Sequence, residues 1–145
     1  MLTKKARLIT GAVLPTFNNP LKLAGEIGML DAISGGRSEV GFGRAFLPRE
    51  FARFKVSLDE SRARFEEGVE QVRRLLEEEN VTAEGKFHSF ADVTSLPRPT
   101  QQPRPPFWIA AVGSPESFAR TGHNGGGIMA GGQMAELTGI YRENW

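Results

Sequence analysis

Short apolar runs alternate with stretches of helical periodicity along this chain, and that alternation limits the possible folds more than any other feature. Residues 6–14 (ARLITGAVL) are β-rich and apolar on both faces, as a strand buried in a parallel sheet would be. The run ends at Pro15. Asn19 then offers an N-cap and Pro20 a first helical position. Leu21, Leu23, Ala24, Ile27, Leu30 and Ile33 follow at helical spacing until Gly35-Gly36. Residues 38–43 (SEVGFG) read as a second, glycine-rich strand, followed by a polar connection over 44–56. Ser57-Leu58-Asp59-Glu60 has the pattern of a capping box, and Phe65, Val69, Val72 and Leu76 behind it predict a helix to about Glu79.

Between residues 80 and 105 the periodicity disappears while Pro97, Pro99, Pro103 and Pro105 accumulate, which predicts an excursion with at most a short hairpin around Gly85. Long insertions of this kind are commonly functional. Residues 107–112 (FWIAAV) form a third apolar strand, Ser114-Pro115-Glu116-Ser117 opens a third helix, 126–131 carries a fourth strand, and 133–145 begins a fourth helix. A regular β-α alternation implies right-handed crossovers and a parallel sheet, so the fold class is α/β. Four βα units are half of a (β/α)8 TIM barrel, whose usual length is about 250 residues. An open, doubly wound four-stranded sheet satisfies the same alternation. Met1 opens almost directly on a strand and Trp145 closes within a helix, so residues 1–145 are expected to be a single barrel domain, incomplete at both ends.

Composition removes several function classes. Eighteen Lys and Arg against 17 Asp and Glu leave no basic excess for a nucleic-acid partner. No apolar run approaches the ~20 residues that span a bilayer, and the start lacks a signal peptide's apolar segment, so no membrane partner and a cytoplasmic location are expected. With no cysteine there is no disulfide, thiolate metal site or Cys nucleophile. His88 and His123 have no metal-ligating neighbour at useful spacing, so no metal is expected; His123 suits a helix C-terminus and His88 falls in the excursion.

Ligands of parallel α/β folds sit at the carboxyl ends of the strands. Gly41-Phe42-Gly43-Arg44 lies at one such end, but Phe46 stands where a dinucleotide fingerprint needs its third glycine, and no helix opens directly. The pair of glycines leaves room beside a flat ligand with Arg44 as a cation at the mouth, or it is a packing pair with a solvated arginine. Gly113-Ser114-Pro115-Glu116-Ser117 joins a strand to a helix start, where unpaired N–H groups and hydroxyls suit a phosphate; an ordinary N-cap explains the same residues. Arg62, in the first turn of its helix, works against the dipole and wants an anion nearby, although Glu66 is at i,i+4. In a barrel, Arg44, Arg62 and Ser114 face one rim. The glutamates from Glu66 to Glu79, with Arg73 and Arg74, read as a solvated helix face.

The order of these motifs resembles one family over nearly the whole chain. Leu30-Asp31 followed by SGGR before a strand ending in GFGR, Glu50-Phe51 with Phe54 behind it, Ser61-Arg62 opening a helix, EGKF, and the proline-rich approach to a strand ending in Gly113-Ser114 are together similar to the bacterial luciferase-like flavin-dependent monooxygenases. The resemblance implies a (β/α)8 barrel of which this chain holds family strands 3 to 6, with reduced FMN as cofactor, O2 and a small organic substrate as reactants, and insertion of one oxygen atom into that substrate. It also implies a separate flavin reductase and a homodimer at full length.

Carried over by position, Arg44 and Arg62 hold the FMN phosphate, and Gly113, Ser114 and Ser117 complete the cradle. Thr10, Gly11 and Ala12 match the segment that lies against the isoalloxazine, often with an unusual cis peptide; Gly43 and Leu47 line the ring and Ala111 its opposite wall. Ala45 stands where the family commonly has glycine, which crowds the loop. Gly43 stands where the luciferases carry a reactive cysteine, so light emission is not expected. No catalytic acid or base is assigned. Two alternatives remain: a deazaflavin (F420)-dependent hydride-transfer enzyme on the same barrel, and a non-catalytic half-barrel interaction module whose open sheet edges pair with a second copy.

Overall fold

The computed structural model describes residues 3–131 and 135–145. Four parallel strands, β1 (Leu8–Ile9), β2 (Ser38–Phe42), β5 (Phe107–Ala110) and β6 (Gly127–Met129), lie side by side in the order β1-β2-β5-β6. That order follows the chain without reversal. A doubly wound sheet reverses its order at a switch point, whereas successive units of a barrel do not, so the topology selects the barrel arrangement. The two strands absent from this order, β3 (Val81–Glu84) and β4 (Ser89–Val93), form the hairpin around Gly85 as a separate antiparallel pair.

Helix α1 (Pro20–Ser34) starts as its sequence predicts: the Asn19 side chain accepts a 2.9 Å hydrogen bond from the Leu21 N–H, and Gly35 ends the helix in the left-handed region. Its apolar face, Leu23, Ala24 and Ile27, meets Val72, Leu75 and Leu76 of α3 (Ser61–Glu77) over Val40 and Phe42 of β2 and Phe107 of β5. The Phe42 and Phe107 rings pack edge to face with centroids 4.8 Å apart. Each such side chain contributes about 1.5–3 kcal/mol when fully buried, and this layer fixes β2 and β5, the two strands that lead into the site. Two more helices follow β5 and β6: α4 (Pro115–His123), which ends at His123 as expected, and α5 (Ala135–Glu143).

The proline-rich part of the excursion is a strap across the amino-terminal ends of the strands. Arg98 donates to the carbonyls of Leu75, Leu76 and Glu78 at 2.7–3.0 Å, capping the C-terminus of α3 with a cation. Arg104 reaches Glu77 at 2.8 Å. Gln101 donates its backbone N–H and its side-chain amide to the two carboxylate oxygens of Asp31, which also accepts from the Ser38 hydroxyl. Asp31 is wholly buried, so this network ties α1, β2 and the strap together at one point.

Several expectations are corrected. The first strand is not a buried run over 6–14: only Leu8–Ile9 pair as a strand, Ile9 is 49% exposed, and the chain leaves the sheet through the cis Gly11-Ala12 peptide before Val13 bridges back to Phe42. It is an edge of the described sheet, with no further strand paired to it among the described residues. The capping box does not form; residues 57–60 make a turn, α3 begins at Ser61, and the Glu60 carboxylate pairs with Arg64 and Lys86. The connection over 44–56 contains a further helix, α2 (Pro48–Phe54), whose Phe51 is buried against Phe17. Ile33 of α1 points outward and is 66% exposed. His88 has a neighbour: its Nδ1 lies 3.6 Å from Glu67 Oε1. The fourth helix spans Ala135–Glu143, and Gln133 lies outside the described residues. Among the described residues no helix is long and apolar enough to cross a membrane.

Candidate functional site

A cavity of about 1030 Å³ opens at the carboxyl ends of β1, β2 and β5 and runs between α3 and α4 to Arg104, Phe107 and Gly126. Backbone bonds join the segments that form its floor: Val13 N–H donates to the Gly41 carbonyl at 2.7 Å, and Gly43 N–H donates to the Val13 carbonyl at 2.8 Å. Gly43 faces Ala12 and Leu14 so closely that a Cβ there would stand 3.3 Å from a carbon of each. The floor is therefore closely packed and small-residued where β1 and β2 end. Beyond Gly43, Ala45 stands at φ 68°, so an alanine here occupies a conformation that glycine takes without cost.

Arg44 is exposed, and its side chain's one hydrogen bond among the described residues is a long 3.4 Å contact to the Ser61 hydroxyl. Arg62 stands beside it in the first turn of α3 and pairs with Glu116 of α4 at 3.4 Å. Ser114 holds the N-cap position of α4, but its hydroxyl caps nothing; neither it nor the Ser117 hydroxyl makes a hydrogen bond among the described residues. The ordinary N-cap explanation of Ser114 thus fails. Gly113 before it has φ 78°, which swings the chain from β5 into the helix.

The residues anticipated from sequence divide into two groups. Ala12, Gly43, Arg44, Leu47, Arg62, Ala111, Ser114 and Ser117 all line this one cavity. Thr10, Gly11 and Gly113 flank it without lining it. Thr10 locks β1 to β2 instead, since its hydroxyl accepts from the Gly41 N–H at 2.9 Å and donates to the Gly41 carbonyl at 3.2 Å.

Other lining residues escaped the sequence reading. Arg120 of α4 lines the cavity and pairs with Glu66 of α3, a glutamate expected to face solvent. Its spacing of four residues from Glu116 was the available signal. Phe65, Val69 and Ile109 continue the cavity as a groove between α3 and α4, down to Arg104. Five arginines and three glutamates line the whole; four of the arginines are ion-paired, and Arg44 is the one without a carboxylate partner among the described residues.

The sequence profile of the luciferase-like monooxygenases matches residues 1–145. The crystal structure of the monooxygenase RslO1 from Streptomyces bottropensis superposes with a TM-score of 0.92 at 50% identity, covering 98% of this chain and 45% of that one. The oxygenase component of the flavin-dependent trigonelline monooxygenase of Acinetobacter baylyi is 40% identical over 111 residues, 75% of this chain and 31% of that protein. An F420-dependent glucose-6-phosphate dehydrogenase of Kineococcus radiotolerans is 33% identical over 131 residues, 88% of this chain and 38% of that protein. The chain thus spans less than half the length of these relatives. With a parallel sheet in barrel order, a cavity at the carboxyl ends of its strands and a profile match from end to end, this chain belongs to the luciferase-like monooxygenase family.

Proposed function

We propose that this protein is part of a flavin-dependent monooxygenase that holds reduced FMN in the cavity at the carboxyl ends of β1, β2 and β5. The observation that carries the reading is the meeting of Arg44, Arg62 and the uncapped start of α4 in a cavity whose floor, at Ala12 and Gly43, is closely packed and small-residued. A ribityl phosphate has two negative charges and several acceptor oxygens. Arg44 and Arg62 would neutralise the charge, and the Ser114 and Ser117 hydroxyls with the Gly113 backbone would donate to the remaining oxygens. Ala12, Gly43, Leu47 and Ala111 would bracket the ring, with Thr10 and Gly11 holding the segment that lies against it. Phe46 and Val112, apolar and exposed at the rim, would keep water from the bound ring.

When bound, reduced FMN supplies the electrons with which O2 is activated for transfer of one oxygen atom to a small organic substrate. This chain's residues bind and orient the cofactor; none is assigned as acid or base. The whole protein is proposed to be a single barrel domain of which this chain supplies four βα units, to work in the cytoplasm, to pair as a homodimer and to receive reduced flavin from a separate reductase.

The F420-dependent relative supports a second reading, a deazaflavin in the same cavity with hydride transfer and no use of oxygen. Parallel anaerobic titrations with reduced FMN and with F420 separate the two. Saturable binding of FMN and weaker or no binding of F420 is the expected result; the reverse preference assigns the deazaflavin, and binding of neither overturns the site.

A further inference from the structure

The same four charges that bridge α3 and α4 have a second way to pair. Arg62 meets Glu116 at 3.4 Å across the groove, and one turn further along both helices Glu66 meets Arg120. Within each helix the spacings are also i,i+4: Arg62 with Glu66 on α3, and Glu116 with Arg120 on α4. Such pairs stabilise a helix, and an acid placed four residues before a base is the better order, which is the order on α4. All four charges are therefore satisfied either between the helices or within them.

Glu116 has a distinct place in this exchange. It lies in the first turn of α4, where a negative charge suits the dipole, and it satisfies Arg62, a cation stranded in the first turn of α3. Those are the two features an incoming phosphate needs. From this coincidence we propose that the Glu116 carboxylate is a built-in competitor for the flavin phosphate. It occupies Arg62 while the cradle is free and gives it up when the phosphate arrives, turning toward Arg120 on its own helix. The consequence is an Arg62 that has a partner in both states, the carboxylate or the phosphate, at the expense of affinity. A cofactor that must arrive reduced and leave oxidised in each cycle is served by such weakening. Both cross-helix pairs are partly exposed, Glu116 at 74% of its side chain, so the exchange needs no repacking of the core.

This inference rests on the FMN reading of the site and deepens it. The test is a binding titration of the protein and its Glu116→Gln, Arg62→Ala and double variants with FMN and with riboflavin, which has the same ring and no phosphate. Glu116→Gln is expected to tighten FMN about two- to fivefold, the range that breaking a partly exposed ion pair corresponds to, and to leave riboflavin unchanged. In the Arg62→Ala background the same substitution should have no effect, because the contested cation is gone. A protein that prefers FMN to riboflavin but is unaffected by Glu116→Gln overturns the competitor role alone. Tightening that persists without Arg62 also overturns it, since simple repulsion between carboxylate and phosphate then suffices. No preference for FMN over riboflavin in any variant overturns both this inference and the site on which it rests.

Discussion

The carbonyl oxygen of Arg44 accepts a 2.7 Å hydrogen bond from the hydroxyl of Thr16, a residue only 2% exposed. The bond joins the loop after β1 to the loop after β2 and sets the direction in which Arg44 leaves the backbone. Thr16→Val keeps the shape and removes the donor. The part-buried carbonyl then loses its partner, so stability should fall by about 1–3 kcal/mol in urea unfolding, and FMN should bind more weakly than the change in folded fraction explains.

Ala45 follows at φ 68°. A side chain in the left-handed region costs about 1–2 kcal/mol, partly offset by the greater freedom of glycine in the unfolded chain. Ala45→Gly is therefore expected to stabilise the protein by about 1 kcal/mol, read as a higher urea midpoint with an unchanged slope. The resemblance to a glycine-bearing family loop pointed to crowding at this position; the structure locates the cost in the backbone angle.

Asp31 makes stability depend on acid. Burial pushes its carboxyl up, but the Gln101 backbone N–H, the Ser38 hydroxyl, the Gln101 amide and the Thr100 backbone together hold it below the ordinary carboxylate range. Its folded pKa is thus below its unfolded one, and the stability it contributes is present above about pH 4 and lost as pH falls through the folded value. Asp31→Ala should cost about 2–5 kcal/mol at neutral pH by stranding the Gln101 donors, and should flatten the acid limb of a pH-stability curve.

Arg98 anchors the strap, and its removal shows how far the two ends of the strands are independent. Arg98→Ala deletes the three carbonyl contacts at the end of α3 and is expected to cost about 1–3 kcal/mol, with no change in FMN affinity, because the helix end that it caps lies nearly the whole length of α3 away from Arg62. Loss of FMN binding in a folded Arg98→Ala protein would show that the two ends are coupled.

What could be read in advance follows from how local the physics is. Asn19, Pro20 and Gly35 act within a few residues, and α1 begins and ends where they predict. The convergence of Arg44, Arg62 and Ser114 on one cavity followed from placing them at strand ends and helix starts of a barrel. Three things depended on distant partners and were missed. Thr10 is claimed by Gly41 across the sheet, Glu60 by Lys86 as well as by Arg64 one turn on, and Glu66 by Arg120 on another helix. The edge position of β1 also lay beyond local pattern, since an apolar run reads the same whether or not neighbours cover both its sides.

The most direct measurement is anaerobic titration of the protein and its Arg44→Ala variant with reduced FMN. Removing a charge-assisted contact worth about 1.5–3 kcal/mol should weaken binding roughly 10- to 150-fold while far-UV circular dichroism stays unchanged. Equal affinity of the two proteins, or no saturable binding by the parent, would contradict the assignment of this cavity to the flavin.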